Sequence, residues 1–172
     1  VILIAIFIKH IHSILTVSEF IKVNGLTCIP AVRVLVLIIA SSIIWVPIGV
    51  WIGQKPKLAQ NLQPVIQFLA AFPANLLFPL VVVLILKYNL NKEIWVTPLM
   101  ILGSQWYILF NVIAGTLAMP KELYLVTNSL GLTGIRCWTK FMLPGIFPYY
   151  ITGAITAAGG AWNASIIAEW IH

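Results

Sequence analysis

The sequence predicts an all-α fold, a polytopic bundle of membrane-spanning helices. Hydrophobic residues make up 61% of the 172-residue chain and charged residues only 8%, with a mean hydropathy of +1.03. Soluble domains carry roughly 25% charged residues, so this chain has too few polar side chains to cover a globule in water. Charge-free runs of about 20 residues, the length that crosses a bilayer core, recur along the sequence.

The N-terminal segment, residues 1–30, is expected to form a membrane segment followed by a loop. Its apolar run, Val1–Ile21, is interrupted by Lys9, His10, His12 and Glu19. Although it is interrupted, a fifth spanning helix is expected here in addition to four uninterrupted ones. Because the chain opens without a methionine and stops at His172 after a long apolar run, we also expect it to be a fragment of a longer protein.

Residues 31–172 contain the four uninterrupted runs, each expected to cross the membrane. They are Val34–Gln54, Leu58–Leu86, Ile94–Pro120 and Phe141–Ala168. The second is too long for one upright helix, at about 43 Å if it were wholly helical. Proline removes a backbone donor and clashes with the preceding turn, so the three prolines of this run (64, 73 and 79) predict a kinked or broken helix. The kinks either shape the packing or form a gating hinge.

The ten lysines and arginines are scattered between the apolar runs and form no basic face, which argues against nucleic-acid binding. We expect them in loops near lipid head groups. Alternation of the spans places five on one side of the membrane: Lys55, Lys57, Lys121, Arg136 and Lys140. Lys22, Arg33, Lys87 and Lys92 fall on the other. Five against four leaves the orientation open.

The segment Lys121–Lys140, here called the elbow, is patterned and polar between two apolar runs. Leu123, Val126 and Leu130 recur at three- and four-residue steps, which predicts a short amphipathic helix. Gly131 is placed to end that helix in a left-handed turn, and a second helical stretch then leads into the last span. On these residues alone, an interfacial helix that only connects two spans is the simpler interpretation.

The elbow and its flanks resemble the permease subunits of binding-protein-dependent ABC importers. That family carries a cytoplasmic signature: Glu-Ala-Ala, three residues, Gly, nine residues, then Ile-x-Leu-Pro. Here Gly131 is followed by nine residues and then by Phe141, Met142, Leu143 and Pro144. The Glu-Ala-Ala positions depart from the signature and hold Leu125, Val126 and Thr127. The runs FPANLLFPLVVVLI, PLMILGSQWYILFNVIAG and GIFPYYITGAITAAGGAWNASIIAEW are similar to the nitrate, sulfonate and taurine branch of the family.

The resemblance implies a type I importer permease fold over residues 31–172, truncated at its C-terminus, in the bacterial inner membrane. It makes the coupling loop, about residues 118–144, a cytoplasmic lever that docks on a separate ATPase subunit. The residues that would couple are Glu122, Leu123, Val126, Leu130, Gly131, Leu143 and Pro144. Glu122 is a candidate substitute for the family glutamate that Leu125 replaces.

The same resemblance implies further partners: a periplasmic substrate-binding protein and a second permease subunit, which would form a homodimer in the lipid bilayer. It suggests small anions such as nitrate or sulfonates as substrates, although no charged residue inside a span would recognise the charge of an anion. The alternative is a truncated, transport-incompetent membrane relic or assembly scaffold.

Polar side chains inside the apolar runs are candidates for a translocation path. They are Asn75, Ser104, Gln105, Asn111 and Asn163. Polar groups in hydrocarbon are costly unless they find partners or line a wet path. Interhelical hydrogen bonds that hold the bundle together are the alternative role for them.

Small residues recur at four-residue steps in the last run and in the first. They are Gly153, Ala157 and Ala161 with Gly160 beside them, and Gly49 and Gly53. This spacing lets a second helix approach closely. We expect it to serve packing within the bundle, and a homodimer interface would use the same stripe.

The chemistry of an enzyme is not indicated. The sequence has no phosphate-binding loop with a Gly-Lys-Ser/Thr ending, so the chain is not itself an ATPase. It shows no paired carboxylates and no metal-ligand spacing, and we expect neither a metal nor a cofactor. Cys28 and Cys137 are expected to be free thiols.

Overall fold

A computed structural model describes residues 17–72, 74–89 and 92–169. These residues are almost entirely helical and contain no β-strand, which confirms the all-α class. Their contacts divide the chain into two units, Val1–Arg33 and Val34–His172, and the helix bundle belongs to the second. Most of the expected first span, Val1–Ile21, lies outside the described residues.

The described residues form seven α-helices and two short helical turns. The α-helices are α1 (Val17–Gly53), α2 (Pro56–Ala71), α3 (Phe78–Tyr88), α4 (Lys92–Ala118), α5 (Lys121–Ser129), α6 (Gly134–Cys137) and α7 (Leu143–Glu169). A 3₁₀ turn, Ala74–Leu77, precedes α3, and a π-helical turn, Trp138–Met142, joins α6 to α7.

Among the described residues, three stretches are long and apolar enough to cross a membrane: Thr27–Gly53, Met100–Ala118 and Gly134–Ile166. They correspond to the first, third and fourth of the uninterrupted runs. The helix that holds the first begins well before Val34, so Lys22 and Arg33 lie within α1 and not in a loop between spans.

The second predicted span, Leu58–Leu86, is divided in the structure. α2 continues past Pro64, the chain then leaves the helix near Pro73, which lies outside the described residues, and Pro79 sits in the first turn of α3. A proline in a first turn removes no intrahelical hydrogen bond. With lengths of about 24 Å and about 17 Å, neither α2 nor α3 alone crosses a core of about 30 Å. The expected break is present, and one continuous second span is not.

Helix α4 lies at the centre of the bundle, with α7 packed along it in the most extensive helix contact. Gly145, near the start of α7, lies against Met119 at the end of α4, so the two helices are antiparallel. Gly53, at the end of α1, lies against Thr116, so α1 runs parallel to α4. The end of α1, the end of α4 and the start of α7 therefore share the side of the bundle that carries the elbow.

Two groups of buried side chains hold these helices together. The larger joins α1, α3, α4 and α7, and its fully buried members include Met100, Ile108, Val112, Ala157 and Ala161. The smaller joins α2 to α1 and α4 and contains Ile52, Ala59, Ile66, Leu109 and Ile113.

The small-residue stripe of α7 faces α4 within the same chain. A Cβ atom added to Gly153 would lie 2.9 Å from the carbonyl oxygen of Tyr107. Ala157 and Ala161 continue the stripe and are fully buried. A Cβ atom added to Gly160 would lie at an ordinary contact distance from α4. Because the stripe is covered inside the chain, it is not a free surface for a second subunit.

The glycines of α1 also lie against α4. An added Cβ would lie 2.7 Å from Val112 Cγ1 at Gly49, and 2.5 Å from Thr116 Cβ at Gly53. Side chains at these two positions would push the parallel helices apart, since real Cβ atoms do not approach so closely.

Candidate functional site

The first half of the elbow is a short helix with a well-defined end. α5 ends as the sequence predicted, because Gly131 takes the left-handed conformation with φ +63°. The N–H of Gly131 donates to Asn128 O at 3.0 Å, and the N–H of Leu132 donates to Thr127 O at 3.0 Å. These two bonds form a Schellman motif, which satisfies carbonyls that the end of a helix leaves free.

The inner face of α5 is fixed on the rest of the chain through Tyr124. Its ring meets Phe141 edge to face, with 5.1 Å between centroids, and its hydroxyl lies 4.0 Å from Met119 Sδ. Burial, and after it the proximity of Cys137, raise the pKa of the Tyr124 phenol above its ordinary value. Beside it, the buried Thr127 hydroxyl donates to the Tyr124 carbonyl oxygen at 2.8 Å.

The predicted coupling side chains of α5 are exposed. Leu123, Val126 and Leu130 are 46%, 52% and 69% exposed, and Glu122 in the first turn is exposed as well. Leu123 also borders a cavity of about 400 Å³ at the foot of the elbow, together with Pro144 of α7. The structure therefore leaves all three side chains of the predicted ridge accessible.

The Leu-Pro end of the elbow coincides with a π-helical turn. The N–H of Leu143 donates to the carbonyl oxygen of Trp138, five residues earlier. Pro144 follows at once and has no N–H of its own. A wide turn and a proline are both recognised causes of helix bending, and here they are adjacent where the elbow enters α7.

Of the five candidate path residues, Gln105 makes an interhelical contact. Its Oε1 accepts a hydrogen bond from Trp45 Nε1 at 3.0 Å, which links α4 to α1. The Trp45 ring also packs on Trp106, with 5.4 Å between centroids. Gln105 therefore makes the interhelical hydrogen bond that was the alternative to a role in the translocation path.

The other candidates with described side chains, Ser104, Asn111 and Asn163, share no hydrogen bond with one another. Ser104 is fully buried and donates to Met100 O at 2.7 Å, and Asn111 Nδ2 donates to Tyr107 O at 2.8 Å, both within α4. Asn163 is exposed on α7, and Asn75 belongs to the 3₁₀ turn with its side chain outside the described residues. Among the side chains that the structure describes, these candidates do not assemble an anion site.

The polar contact between Ser42 and Tyr150 was not predicted from the sequence. The hydroxyls of Ser42 and Tyr150 lie 3.0 Å apart and join α1 to α7. They border an almost wholly apolar groove of about 460 Å³, whose wall includes Trp138 and Phe147. Ser42 and Tyr150 are 108 positions apart, so no local pattern could have paired them.

Within the part of the chain that the structure describes, there is no disulfide and no metal-binding cluster. Cys28 is exposed and Cys137 is half-buried, and neither forms a disulfide. The described residues contain no group of three His, Cys, Asp or Glu side chains that could hold a metal ion.

Comparison with known proteins gives consistent matches. Residues 45–172 match the family described as "Binding-protein-dependent transport system inner membrane component". The chain is 31% identical over 129 residues to the bicarbonate transport system permease protein CmpB of Synechocystis, covering 75% of this chain and 45% of that protein.

Two further relatives are more distant. The chain is 27% identical over 139 residues to the nitrate import permease protein NrtB of Leptolyngbya laminosa, covering 81% of this chain and 48% of the relative. It is 23% identical over 139 residues to the taurine transport system permease protein TauC of Escherichia coli, covering 81% and 49%. The chain spans about half the length of the curated relatives that it matches.

Proposed function

The chain belongs to the family of inner membrane components of binding-protein-dependent transport systems, and on that premise we propose that it forms part of the substrate path of an ATP-driven importer. The family consists of transport components, in agreement with the prediction that the chain is not an enzyme. The three helices of spanning length fit a component of that membrane.

The elbow is the part that would couple the path to a separate ATPase subunit. One observation carries this proposal: α5 lies outside the candidate spans, is fixed to the start of α7 through Tyr124 and Phe141, and presents exposed Val126 and Leu130. A helix held in this way moves as a unit, so displacement of α5 by a partner would be passed to α7. An amphipathic helix set in a partner's groove is a common mode of recognition.

The family resemblance of the elbow supports a cytoplasmic position for it, because the matching signature is cytoplasmic in importer permeases. The count of cations does not decide the side. The ends of the bundle that share the elbow side carry five Lys and Arg residues: Lys55, Lys57, Lys121, Arg136 and Lys140. The connection between α3 and α4 holds Lys87 and Lys92, and the first half of α1 holds Lys22 and Arg33, so five cations stand against four.

The substrate is proposed to be a small anion, by analogy with relatives named for bicarbonate, nitrate and taurine transport. The candidate span Met100–Ala118 contains no charged residue. The candidate span Gly134–Ile166 contains none after Lys140. We therefore assign selectivity to a periplasmic substrate-binding protein. Asn163 remains a path candidate because it is exposed, while Ser104 and Gln105 are engaged in packing.

The experiment that tests this function is uptake into proteoliposomes. The protein is purified together with any ATPase subunit and substrate-binding protein that neighbouring genes encode, and uptake of labelled bicarbonate, nitrate and taurine is measured with and without ATP. ATP-dependent accumulation of one of these anions is expected. If no ATPase co-purifies and no anion accumulates, the proposal is wrong and a scaffold role is favoured.

A further inference from the structure

The cavity at the foot of the elbow, here called the cleft, lies where the end of α4 meets the start of α7. Its volume is about 400 Å³, and its walls come from α4, α5, the π-helical turn and α7. Most of its lining side chains are apolar or aromatic, and the larger ones are Met119, Leu123, Phe141, Pro144 and Tyr149. Ligand sites in proteins have volumes of roughly 300–1,000 Å³, so the cleft is large enough to hold part of a ligand.

Close packing of α4 on α7 fixes the walls of the cleft. An added Cβ would lie 2.8 Å from Tyr149 Cβ at Gly115, and 2.6 Å from Met119 Cε at Gly145. Phe141 is held edge to face against a ring of α5, with 5.1 Å between centroids. A preformed cavity of this kind loses little conformational entropy when a ligand enters it.

Lys140 adds a positive charge to this mostly apolar lining. It is the one charged residue among the described residues that line the cleft, and it forms no ion pair within the described part of the chain. The described connections on the elbow side carry one carboxylate, that of Glu122, against five Lys and Arg residues. The cleft therefore lies in a region of excess positive charge, which attracts anions.

The cleft lies at the level where the membrane spans end. Met119 directly follows the candidate span Met100–Ala118, and Lys140 lies in the first turns of the candidate span Gly134–Ile166. The head groups of a bilayer lie beside the ends of such spans, and the acyl chains extend from there along the apolar helices. Basic pockets between membrane helices at this level bind anionic lipid head groups.

We propose that the cleft binds one anionic phospholipid, with the phosphate at the Lys140 ammonium and an acyl chain against Leu123 and Phe141. The charge and the apolar walls together select this ligand. A soluble anion would leave the apolar walls uncovered, and a zwitterionic lipid has no net charge to match the excess of cations. Lipid head groups border both faces of the membrane, so this inference does not depend on the orientation of the chain or on coupling to an ATPase.

The test measures lipid affinity by native mass spectrometry of the purified protein, titrated in neutral detergent with phosphatidylglycerol or with phosphatidylcholine of the same acyl chains. Phosphatidylglycerol should bind about fivefold more tightly, the effect of one cation beside a head group. Lys140→Gln should abolish this preference and Lys140→Arg should retain it. Arg136→Gln is the matched control: it removes the same charge from an exposed residue outside the lining, and the preference should stay within about twofold.

A second pair of variants tests the apolar walls. Ala118 is exposed and lines the cleft, so Ala118→Phe should fill it and lower the affinity for both lipids. Leu117→Phe adds a ring at the neighbouring exposed position, which does not line the cleft, and both affinities should stay unchanged. Thermal unfolding of each variant shows whether the bundle is intact. Should Ala118→Phe unfold, the comparison of Lys140→Gln with Arg136→Gln decides alone.

Four results would overturn the inference. Equal affinity of the unchanged protein for the two lipids would show that no anionic lipid is selected. An equal loss of preference in Lys140→Gln and Arg136→Gln would mean a diffuse charge effect and no site. Unchanged lipid binding by a folded Ala118→Phe would place the lipid elsewhere. Displacement of the lipid by inorganic phosphate alone would make the cleft a site for soluble anions.

Discussion

At the scale of single residues, the glycines of α7 differ sharply in what surrounds them. An added Cβ at Gly153 would lie 2.9 Å from Tyr107 O and 3.2 Å from Ile108 Cα, both backbone atoms of α4. A backbone cannot rotate away as a side chain can, so α4 and α7 would have to separate. Gly159, six residues later on the same helix, has nothing within 4 Å of an added Cβ.

We therefore predict that Gly153→Ala destabilises the bundle by about 1–3 kcal/mol, the usual cost of overpacking. Gly159→Ala is the control on the same helix, and it should be neutral or stabilise by up to about 1 kcal/mol through its better helix propensity. Thermal or denaturant unfolding in detergent measures both. Equal stabilities for the two variants would contradict the close approach of α4 and α7.

Gly131 is constrained by its backbone and not by its neighbours. Its φ is +63° and an added Cβ would meet nothing within 4 Å, so only the left-handed conformation opposes a side chain. Gly131→Ala should cost about 1–2 kcal/mol, and Gly131→Asn less, because asparagine tolerates this conformation. Hydrogen exchange at the Gly131 and Leu132 amides should accelerate more in the alanine variant. Similar exchange in the two variants would refute the Schellman end.

At the scale of helices, local patterns predicted more than distant pairings. The spacing of Leu123, Val126 and Leu130 and the position of Gly131 were sufficient for α5, because a helix and its end depend on neighbouring residues. Proline chemistry likewise predicted the break in the second run. The Trp45–Gln105 and Ser42–Tyr150 bonds join residues 60 and 108 positions apart. The small-residue stripe predicted the packing face of α7, but not that α4 is the helix that meets it.

Tyr124 tests whether α5 is held as a rigid element. Tyr124→Phe keeps the edge-to-face contact with Phe141 and loses only the hydroxyl near Met119, so α5 should stay ordered. Tyr124→Ala loses the ring contact, worth about 0.5–1.5 kcal/mol beyond its buried area. Hydrogen exchange of the α5 amides should rise about tenfold or more in the alanine variant and stay near the original rate in the phenylalanine variant. Equal rates in all three proteins would mean that the ring does not anchor α5.

At the scale of the whole molecule, the arrangement of α1, α4 and α7 fixes which connections share a side. α1 and α4 run in the same direction and α7 runs back, so the end of α1 and the elbow lie together. Gln54 Nε2 lies 4.0 Å from Met142 Sδ, which joins those two connections directly. Lys87, at the end of α3, precedes α4 and belongs to the opposite end of that helix.

Single cysteines on the two sides test this topology and the orientation together. In a background with Cys28→Ser and Cys137→Ser, Asn128→Cys places an exposed thiol on α5 and Lys87→Cys places one at the end of α3. A membrane-impermeant maleimide should label position 87 in intact spheroplasts and position 128 only in inverted vesicles, because α4 separates the two sites and the proposed coupling role places the elbow in the cytoplasm. Labelling of both positions from one side would contradict the crossing of α4. The reverse pattern would keep the fold but place the elbow outside, where no ATPase could reach it.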